Sequence, residues 1–261
     1  MRITREFCDR IESCEVVATR LYVRNAQLQF PDLNAQICDI GGGVAAYTGA
    51  GSPLSESTGV GLWQGSGSVD AGLLTAFYRE RGAQPRVRLS PHADARFVRA
   101  LITLGYEPID YENLMAADLL ELLAQRDERV QEMRDATEWS RATGSAFRDG
   151  EACDDANLQV GLLICTVPET TALEIRVDEG IAATGCMDFQ GEVAGLFAAA
   201  TAPAHRGQGL HRALVLDRAA RAIERGARFA RVTARPASAS EQNFRRLGFT
   251  VLYTRTLWGI P

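Results

Sequence analysis

The stretch that decides the fold is Thr201-Ala-Pro-Ala-His-Arg-Gly-Gln-Gly-Leu-His-Arg-Ala-Leu214. An apolar run over residues 193–201 predicts a buried strand, and the pattern over residues 210–225 predicts a helix. Gly207 and Gly209 allow the backbone between them to turn sharply and to approach a ligand closely. The first turn of a helix presents unpaired N–H groups and the positive end of its dipole. This strand–turn–helix unit therefore predicts a site for a phosphate or pyrophosphate group.

The spacing of the glycines excludes the two common nucleotide loops. The chain has no Gly-x-x-x-x-Gly-Lys-Ser/Thr sequence, and no Gly-x-Gly-x-x-Gly opens a βαβ unit near its N-terminus. Arg206-Gly-Gln-Gly-Leu-His211 instead resembles the acetyl-CoA pyrophosphate loop of the GNAT N-acetyltransferase superfamily, Arg/Gln-x-x-Gly-x-Gly/Ala. Arg206, Gly209 and the preceding Pro203 match that pattern, whereas His211 occupies its final small position. A glycine-rich turn without a ligand is the alternative interpretation.

A second motif downstream supports the same resemblance. Residues 229–255 predict a strand, a loop, a short helix that ends at a glycine, and a final strand. Within them, Asn243-Phe-Arg-Arg-Leu-Gly-Phe249 resembles the Asn-x-x-x-x-Gly-Phe ending of the GNAT fold. The resemblance covers residues 130–261.

An internal repeat sets the predicted domain organisation. Glu80-Arg-Gly-Ala83 recurs as Glu224-Arg-Gly-Ala227, and each copy precedes a strand, a proline and a short helix ending in Leu-Gly-aromatic. We therefore predict an α/β (α+β) fold with two GNAT-like domains in tandem, over residues 1–118 and 119–261. Each domain is expected to hold a mixed, mostly antiparallel sheet flanked by helices. The first domain has glycines but no arginine over residues 57–62, so we expect it to be a degenerate copy; a second acyl-CoA site is the alternative.

Some elements are less sharply defined by the pattern. Residues 3–28 and 66–81 predict helices, and residues 158–166 are consistent with either a helix or a buried strand. Residues 174–189 predict a hairpin that turns at Glu179-Gly180.

Composition narrows the class of protein. The 261 residues are 46% hydrophobic and 23% charged, which is typical of a globular protein. The polar start and the lack of a long apolar run predict a cytoplasmic protein without a membrane partner. The net charge of −5 argues against a nucleic-acid partner. Six scattered cysteines and three histidines predict free thiols and no metal site. Both a monomer and a homodimer remain open.

The resemblance implies a reaction and a set of cofactor contacts. GNAT enzymes transfer an acetyl group from acetyl-CoA to an amine by direct attack in a ternary complex. Backbone N–H groups of the loop are then expected to bind the diphosphate, and the end of the preceding strand is expected to meet pantetheine and the thioester carbonyl. The cofactor-binding residues that the resemblance implies are Ala199, Ala200, Thr201, Arg206, Gly207, Gln208, Gly209, Leu210, His211 and Asn243.

The usual acid–base residues of the family are absent from their positions. Gly195 stands where many members have a glutamate base, and Phe244 stands where many have a tyrosine that protonates the thiolate. Glu192 and Tyr253 are the candidate substitutes, with Asp188 a further candidate base. Because both usual groups are missing, a non-catalytic acyl-CoA-binding or sensing protein is the alternative function. The acceptor amine, whether a small molecule or a peptide, is left open.

Overall fold

The computed structural model describes residues 1–62, 69–178 and 180–261. The predicted start of a helix at Ser66 and the predicted turn residue Glu179 lie outside these residues. The helices are α1 (Arg5–Gln29), α2 (Ala71–Arg79), α3 (Ala95–Thr103), α4 (Ala136–Phe147), α5 (Asp155–Cys165), α6 (Leu210–Glu224) and α7 (Ala239–Arg246). The strands are β1 (Gln36–Ile40), β2 (Gly43–Tyr47), β3 (Ser57–Thr58), β4 (Arg86–Leu89), β5 (Glu107–Asp118), β6 (Val130–Glu132), β7 (Thr171–Val177), β8 (Gly180–Gln190), β9 (Val193–Thr201), β10 (Phe229–Ala234) and β11 (Thr250–Gly259).

Side-chain caps fix where most of the helices begin. An oxygen of the residue before the helix accepts a backbone N–H from the first turn, which satisfies one of the unpaired donors there. The capping residues of α1 to α5 are Thr4, Asp70, Asp94, Asp135 and Asp154. Helix α6 differs, because its N-cap is Gly209 and no side chain caps its first turn. The ambiguous segment over residues 158–166 is helical, as part of α5.

Two compact units divide the chain, and they are not contiguous in sequence. The N-terminal unit contains residues 2–114, 234–238 and 251–261. Its strands follow the order β1-β2-β3-β4-β11-β5, in which β3 and β4 are parallel and β4 and β11 antiparallel. One cluster of its core includes aliphatic and aromatic side chains of α2, α3 and β4. Among these core residues are Leu74, Tyr78, Val87, Phe97 and Leu101.

The C-terminal unit contains residues 115–233 and 239–250, together with Met1. Its strands follow the order β5-β10-β9-β8-β7-β6. The pairs from β6 to β9 are antiparallel, whereas β10 and β9 are parallel. Trp139 of α4 is fully buried and donates its indole N–H to the carbonyl of Leu173 at 2.9 Å. This contact joins α4 to the sheet of the unit.

The internal repeat has the same backbone geometry in both copies. Gly82 and Gly226 both have positive φ, and the alanine after each donates to a carbonyl five residues earlier. The same five-residue hydrogen bond follows Gly105 in the first copy and Gly248 in the second, and both of these glycines also have positive φ. Glycine suits all four turns because it adopts left-handed conformations without strain. The repeated tetrapeptide therefore marks a repeated helix–strand–helix unit.

The compact units and the predicted domains have different boundaries along the chain. The sequence-based division gives residues 1–118 and 119–261, one after the other along the chain. In the structure, residues 251–261 cluster with the N-terminal unit, because β11 lies between β4 and β5 in that unit's strand order. The division at residue 118 stays a prediction about the two halves of the chain.

Candidate functional site

The site lies at the C-terminal end of strand β9 in the C-terminal unit. There β9 is no longer paired with β10, and its register with β8 shifts. Its parallel pairing with β10 runs only from Val193 to Gly195. On its other edge the register with β8 shifts, so that Cys186 lies opposite Phe197 but Thr184 lies opposite Ala200. Two residues of β9 thus face one residue of β8, which is the arrangement of a β-bulge. The second half of β9 therefore diverges from β10 and leaves space at its C-terminal end.

The loop after β9 brings backbone groups to that space. Gly207 and Gly209 have φ values of 77° and 78°, in the left-handed region that favours glycine. A Cβ built on either residue would meet no atom within 4 Å, so a ligand can approach both closely. Helix α6 then begins at Leu210 with no side chain bonded to its first N–H groups. These donors and the helix dipole favour an anion at this point.

A pocket of about 600 Å³ lies between these elements and helix α7. Its walls are the end of β9, the loop, the first turn of α6, one face of α7 and the C-terminal end of α4. The predicted residues that line it are Ala199, Ala200, Thr201, Arg206, Gly207, Gly209, Leu210, His211 and Asn243. Gln208 faces a smaller neighbouring cavity, and its side-chain amide donates to the carbonyl of Ala204 at 3.4 Å. Their binding roles stay predictions.

Arg206 makes its contacts with protein groups rather than with the pocket interior. Its guanidinium donates to Asp149 Oδ1 at 2.8 Å and to the carbonyls of Ala146 at 3.2 Å and Thr201 at 3.3 Å. These three bonds tie the loop to the end of α4 and to the end of β9. The side chain is 48% exposed, so its charge also acts on the open side of the loop.

Neither candidate acid–base residue lines the pocket. Glu192 is exposed and precedes the first residue of β9, whereas the pocket adjoins the last. At about 3.3 Å per residue, the strand separates the two ends by roughly 30 Å. Tyr253 belongs to the N-terminal unit, where its hydroxyl donates to Glu12 Oε1 at 2.6 Å. Burial, followed by the charge of Glu12, raises the pKa of Tyr253 and makes the phenol a weaker acid.

Tyr253 is part of a buried ionic cluster on α1, β5 and β11. Arg255 is fully buried and lies 3.2 Å from Glu12, 3.7 Å from Glu15 and 2.7 Å from Glu112. Buried carboxylates are stable only when a cation or hydrogen-bond donors compensate their charge. The hydroxyl of Tyr253 therefore serves this cluster.

Asp188 occupies the volume that a glutamate side chain at position 195 would need. Its Oδ1 accepts the backbone N–H of Gly195 at 3.0 Å, and its Oδ2 lies 3.2 Å from Arg231 Nη2. A Cβ built on Gly195 would lie 2.2 Å from Asp188 Oδ1, so this position admits only glycine. Both charged side chains are buried, at 3% and 7% exposure. The pair makes Asp188 a buried structural carboxylate that does not line the pocket.

Phe244, at the position of the usual tyrosine, is buried against His211. Their ring centroids are 5.2 Å apart in an edge-to-face arrangement. Burial lowers the pKa of His211 to about 4, with a further contribution from the positive charge of Arg218. His211 is therefore neutral at pH 7, and it presents an uncharged imidazole to the pocket.

Among the described residues, eight that line the pocket were not predicted from the sequence. Those on α7 are three or four residues from Asn243 and so share its helix face. Helical periodicity applied to Asn243 would have predicted them. On α6, Arg212 directly follows the motif, and no spacing rule distinguishes it from a solvated arginine. The missed residues are Ala146, Phe147, His205, Arg212, Ala239, Ser240, Arg246 and Leu247. Arg212 and Arg246 add two exposed cations to the positive helix end.

In the N-terminal unit, the residue Gly61 after β3 packs against α3. Gly61 follows β3 as the loop follows β9, and a Cβ built there would lie 2.9 Å from the ring of Phe97 on α3. The backbone N–H of Asp94, at the start of α3, donates to the carbonyl of Gly61 at 3.0 Å. Gly61 is therefore in direct contact with the start of α3.

Comparisons with known proteins agree with this fold. Residues 175–259 match the family described as FR47-like protein. A GCN5-related N-acetyltransferase from Kribbella flavida is similar at 20% identity and a TM-score of 0.62, over 94% of this chain and 96% of that one. A tandem GNAT protein from the clavulanic acid biosynthesis pathway is similar at 13% identity and a TM-score of 0.59, over 91% and 86%. No curated protein matches the sequence.

The fold is that of the GNAT acetyltransferases. More particularly, it is the tandem form, with two GNAT-like halves whose mixed, mostly antiparallel strands are flanked by helices. The resemblance and the fold class that the sequence predicted are confirmed.

Two further properties bear on the class of site. Within residues 1–62, 69–178 and 180–261, no cluster of three or more His, Cys, Asp or Glu side chains could hold a metal ion. No helix in the same ranges combines the length and the apolar character needed to cross a membrane.

Proposed function

We propose that the C-terminal unit binds acetyl-CoA and transfers its acetyl group to the amine of a small molecule or peptide. The observation that carries the proposal is the pocket of about 600 Å³, whose walls are the open end of β9, the glycine loop, the start of α6 and one face of α7. A pocket of this kind joins the start of a helix without a side-chain cap to the part of β9 that lies beyond its pairing with β10. Acetyl-CoA requires both, because it carries a diphosphate and an amide-containing pantetheine arm.

The anionic part of the ligand is matched by the loop and its neighbours. Backbone N–H groups of residues 207–211 would donate hydrogen bonds to the diphosphate, since Gly207 and Gly209 leave it room. Arg212 and Arg246 line the same pocket and would supply positive charge. Arg206 would hold the loop in place through its three hydrogen bonds.

The reacting part of the ligand would lie along β9. The backbone of Ala199 to Thr201 would bond pantetheine and the thioester carbonyl. A single N–H donor aimed at the developing oxyanion contributes roughly 3–4 kcal/mol. Holding amine and thioester together contributes roughly 7–11 kcal/mol more. The amine nitrogen attacks the carbonyl carbon, the C–N bond forms, the C–S bond breaks, and the thiolate leaves.

Proton transfer distinguishes this site from the usual one. The side chains that line the pocket in the described part of the chain include no carboxylate and no tyrosine. We infer that the amine reaches the site in its neutral form and that water carries protons to and from the reacting groups. The rate should then rise with pH until the pKa of the acceptor amine, and a series of acceptors should shift that limit in parallel with their own pKa values.

The missing side chains also favour a second candidate function. A protein that binds or senses acyl-CoA without turnover would need the loop and the pocket but neither a base nor an acid. Gly195 and Phe244 are consistent with that alternative, which is why binding and turnover must be measured separately.

Calorimetric titration of acetyl-CoA, followed by a turnover assay with a panel of amines, tests the proposal. Binding at one site with micromolar affinity, about −8 kcal/mol, together with release of CoA upon addition of an amine supports the transferase. Binding without turnover for any amine supports the sensing function instead. Absence of binding refutes both.

A further inference from the structure

Arg218 is a fully buried arginine on the inner face of α6. Its Nη1 donates to the carbonyl of Cys186 at 2.9 Å and to that of Phe197 at 3.3 Å, and its Nε donates to the carbonyl of Leu214 at 3.1 Å. Its Nη2 is buried and has no hydrogen-bond partner within the described residues. An aliphatic side chain would fill this space without the cost of burying a charge. A buried positive charge at this position is therefore not explained by packing alone.

The two carbonyls of β8 and β9 that Arg218 bonds are those at the β-bulge. Cys186 and Phe197 form the last regular pair before the register shifts. The next residue, Ala198, has a φ of 48°, a left-handed conformation that is strained for a residue with a Cβ. Strained backbone persists only where the surroundings hold it. Arg218 bonds the carbonyl immediately before the strained residue.

Gly185 shows that this arrangement is built around the guanidinium. It is the residue of β8 opposite the bulge, and a Cβ there would lie 3.1 Å from both Cζ and Nη1 of Arg218. A contact at that distance forces the neighbour to shift. Glycine at 185 thus lets the guanidinium lie directly against β8 beside the bulge of β9, and a methyl group there would displace it by a few tenths of an ångström.

The charge of Arg218 also reaches the pocket. Burial lowers the pKa of Arg218 to about 10, so the side chain remains protonated at neutral pH. The same positive charge contributes to the lowered pKa of His211, which lines the pocket. Ala199 and Ala200, which follow the bulge, line the pocket as well.

We propose that Arg218 is a positioning residue of the acetyl-CoA site: it holds the bulge of β9 so that the backbone of Ala199 and Ala200 meets the thioester carbonyl. This inference rests on the proposed function, and it adds a residue that touches no part of the ligand. The loop and Arg218 would then have separate roles in binding. The loop over residues 206–211 supplies affinity for CoA as a whole, whereas Arg218 governs recognition of the acyl carbonyl.

The test compares CoA with acetyl-CoA, since only acetyl-CoA carries the carbonyl. Calorimetry gives both dissociation constants, and isotope-edited infrared spectroscopy of acetyl-CoA labelled with ¹³C at the carbonyl reports the hydrogen bond to that group. The variants are Arg218→Met, which removes the guanidinium, and Gly185→Ala, which displaces it without changing the charge. Arg221→Met is the matched control, because Arg221 lies one turn further along α6 and pairs with Asp217.

We expect the unaltered protein to bind acetyl-CoA about fivefold tighter than CoA, as one hydrogen bond gives, and to shift the carbonyl band to lower wavenumber. Arg218→Met and Gly185→Ala should lose the preference and the band shift, while their affinity for CoA stays within about threefold. Arg221→Met should keep both properties.

Three results overturn the inference. One is a preference and band shift that survive in both variants. Another is a loss of CoA and acetyl-CoA affinity by the same factor in folded Gly185→Ala, which is the result of a purely structural role. The third is unaltered protein that binds both ligands equally with no band shift, which refutes the positioning role and leaves CoA binding intact. Unaltered protein that binds neither ligand refutes the proposed function itself.

Discussion

Gly209→Ala separates the cost of backbone strain from the cost of blocking the ligand. Gly209 precedes α6 with a φ of 78°, and Gly226 follows the same helix with a φ of 83°. A Cβ at either position would meet no protein atom within 4 Å. The two substitutions therefore impose the same kind of strain at opposite ends of one helix, and only Gly209 lines the pocket.

The expected magnitudes follow from that comparison. A non-glycine residue in the left-handed region costs about 1–2 kcal/mol, so both variants should lower the free energy of unfolding by that amount. At Gly209 the methyl group also occupies the space through which the diphosphate reaches the backbone N–H groups. One lost hydrogen bond to a charged group costs about 1.5–3 kcal/mol, which weakens acetyl-CoA binding by about 10- to 150-fold. Gly226→Ala should leave the dissociation constant unchanged.

Calorimetric titration with acetyl-CoA and urea unfolding measure the two effects on the same preparations. Gly209→Ala that binds acetyl-CoA as tightly as the unaltered protein would show that the diphosphate does not approach this glycine. A similar loss of affinity in Gly226→Ala would refute the assignment as well, since the loss would then come from α6 as a whole and not from the space beside the loop.

Four other substitutions test three separate parts of the structure. Gly61→Ala, which adds a methyl group 2.9 Å from the Phe97 ring at a left-handed position, should cost about 2–4 kcal/mol in urea unfolding and leave one acetyl-CoA site by calorimetry. His211→Asn should flatten the pH dependence of stability between pH 6.5 and 4. The folded pKa of about 4 lies below the usual value, so the unfolded chain binds more protons and stability is lost as pH falls. Gly195→Ala and Asp188→Ala should each destabilise, by about 1–3 and about 3–5 kcal/mol, and the double variant should lose less than the sum.

Each of these expectations has its own contrary result. Two acetyl-CoA sites in the unaltered protein would show that the N-terminal unit also binds the ligand. A stability profile that is the same with and without the histidine would assign the acid sensitivity to other groups. Strict additivity of the two alanine substitutions would mean that Asp188 and the position-195 methyl group do not compete for the same space.

Local sequence patterns predicted much of the fold because they encode short-range geometry. The bounds of β9 were predicted to the residue, because the apolar run over residues 193–201 covers the whole strand. The turn residues Gly82 and Gly226 revealed the repeat, because left-handed positions select glycine wherever they recur. The stretch from Thr201 to Leu214 likewise predicted the strand, loop and helix start that line the pocket.

The remaining features depend on residues that are distant in sequence. No local pattern reports that Asp188 of β8 fills the space beside Gly195, because strand register is a long-range property. Glu192 was a reasonable candidate base by residue type, but the length of β9 carries it away from the pocket. Arg218 looks like one more arginine on a charged helix, and only the packed structure shows that it is buried.

The position of β11 in the strand order affects when the N-terminal unit can fold during synthesis. A ribosome synthesises residues 2–114 well before Arg255, yet that arginine pairs with Glu12 and Glu15 and shares Glu112 with Arg88. Until β11 is synthesised, the first half of the chain lacks one cation of this cluster and the strand between β4 and β5. Its native pairing therefore waits for the second half, and a nascent chain stalled before residue 250 should be captured by chaperones or proteases more readily than the finished one.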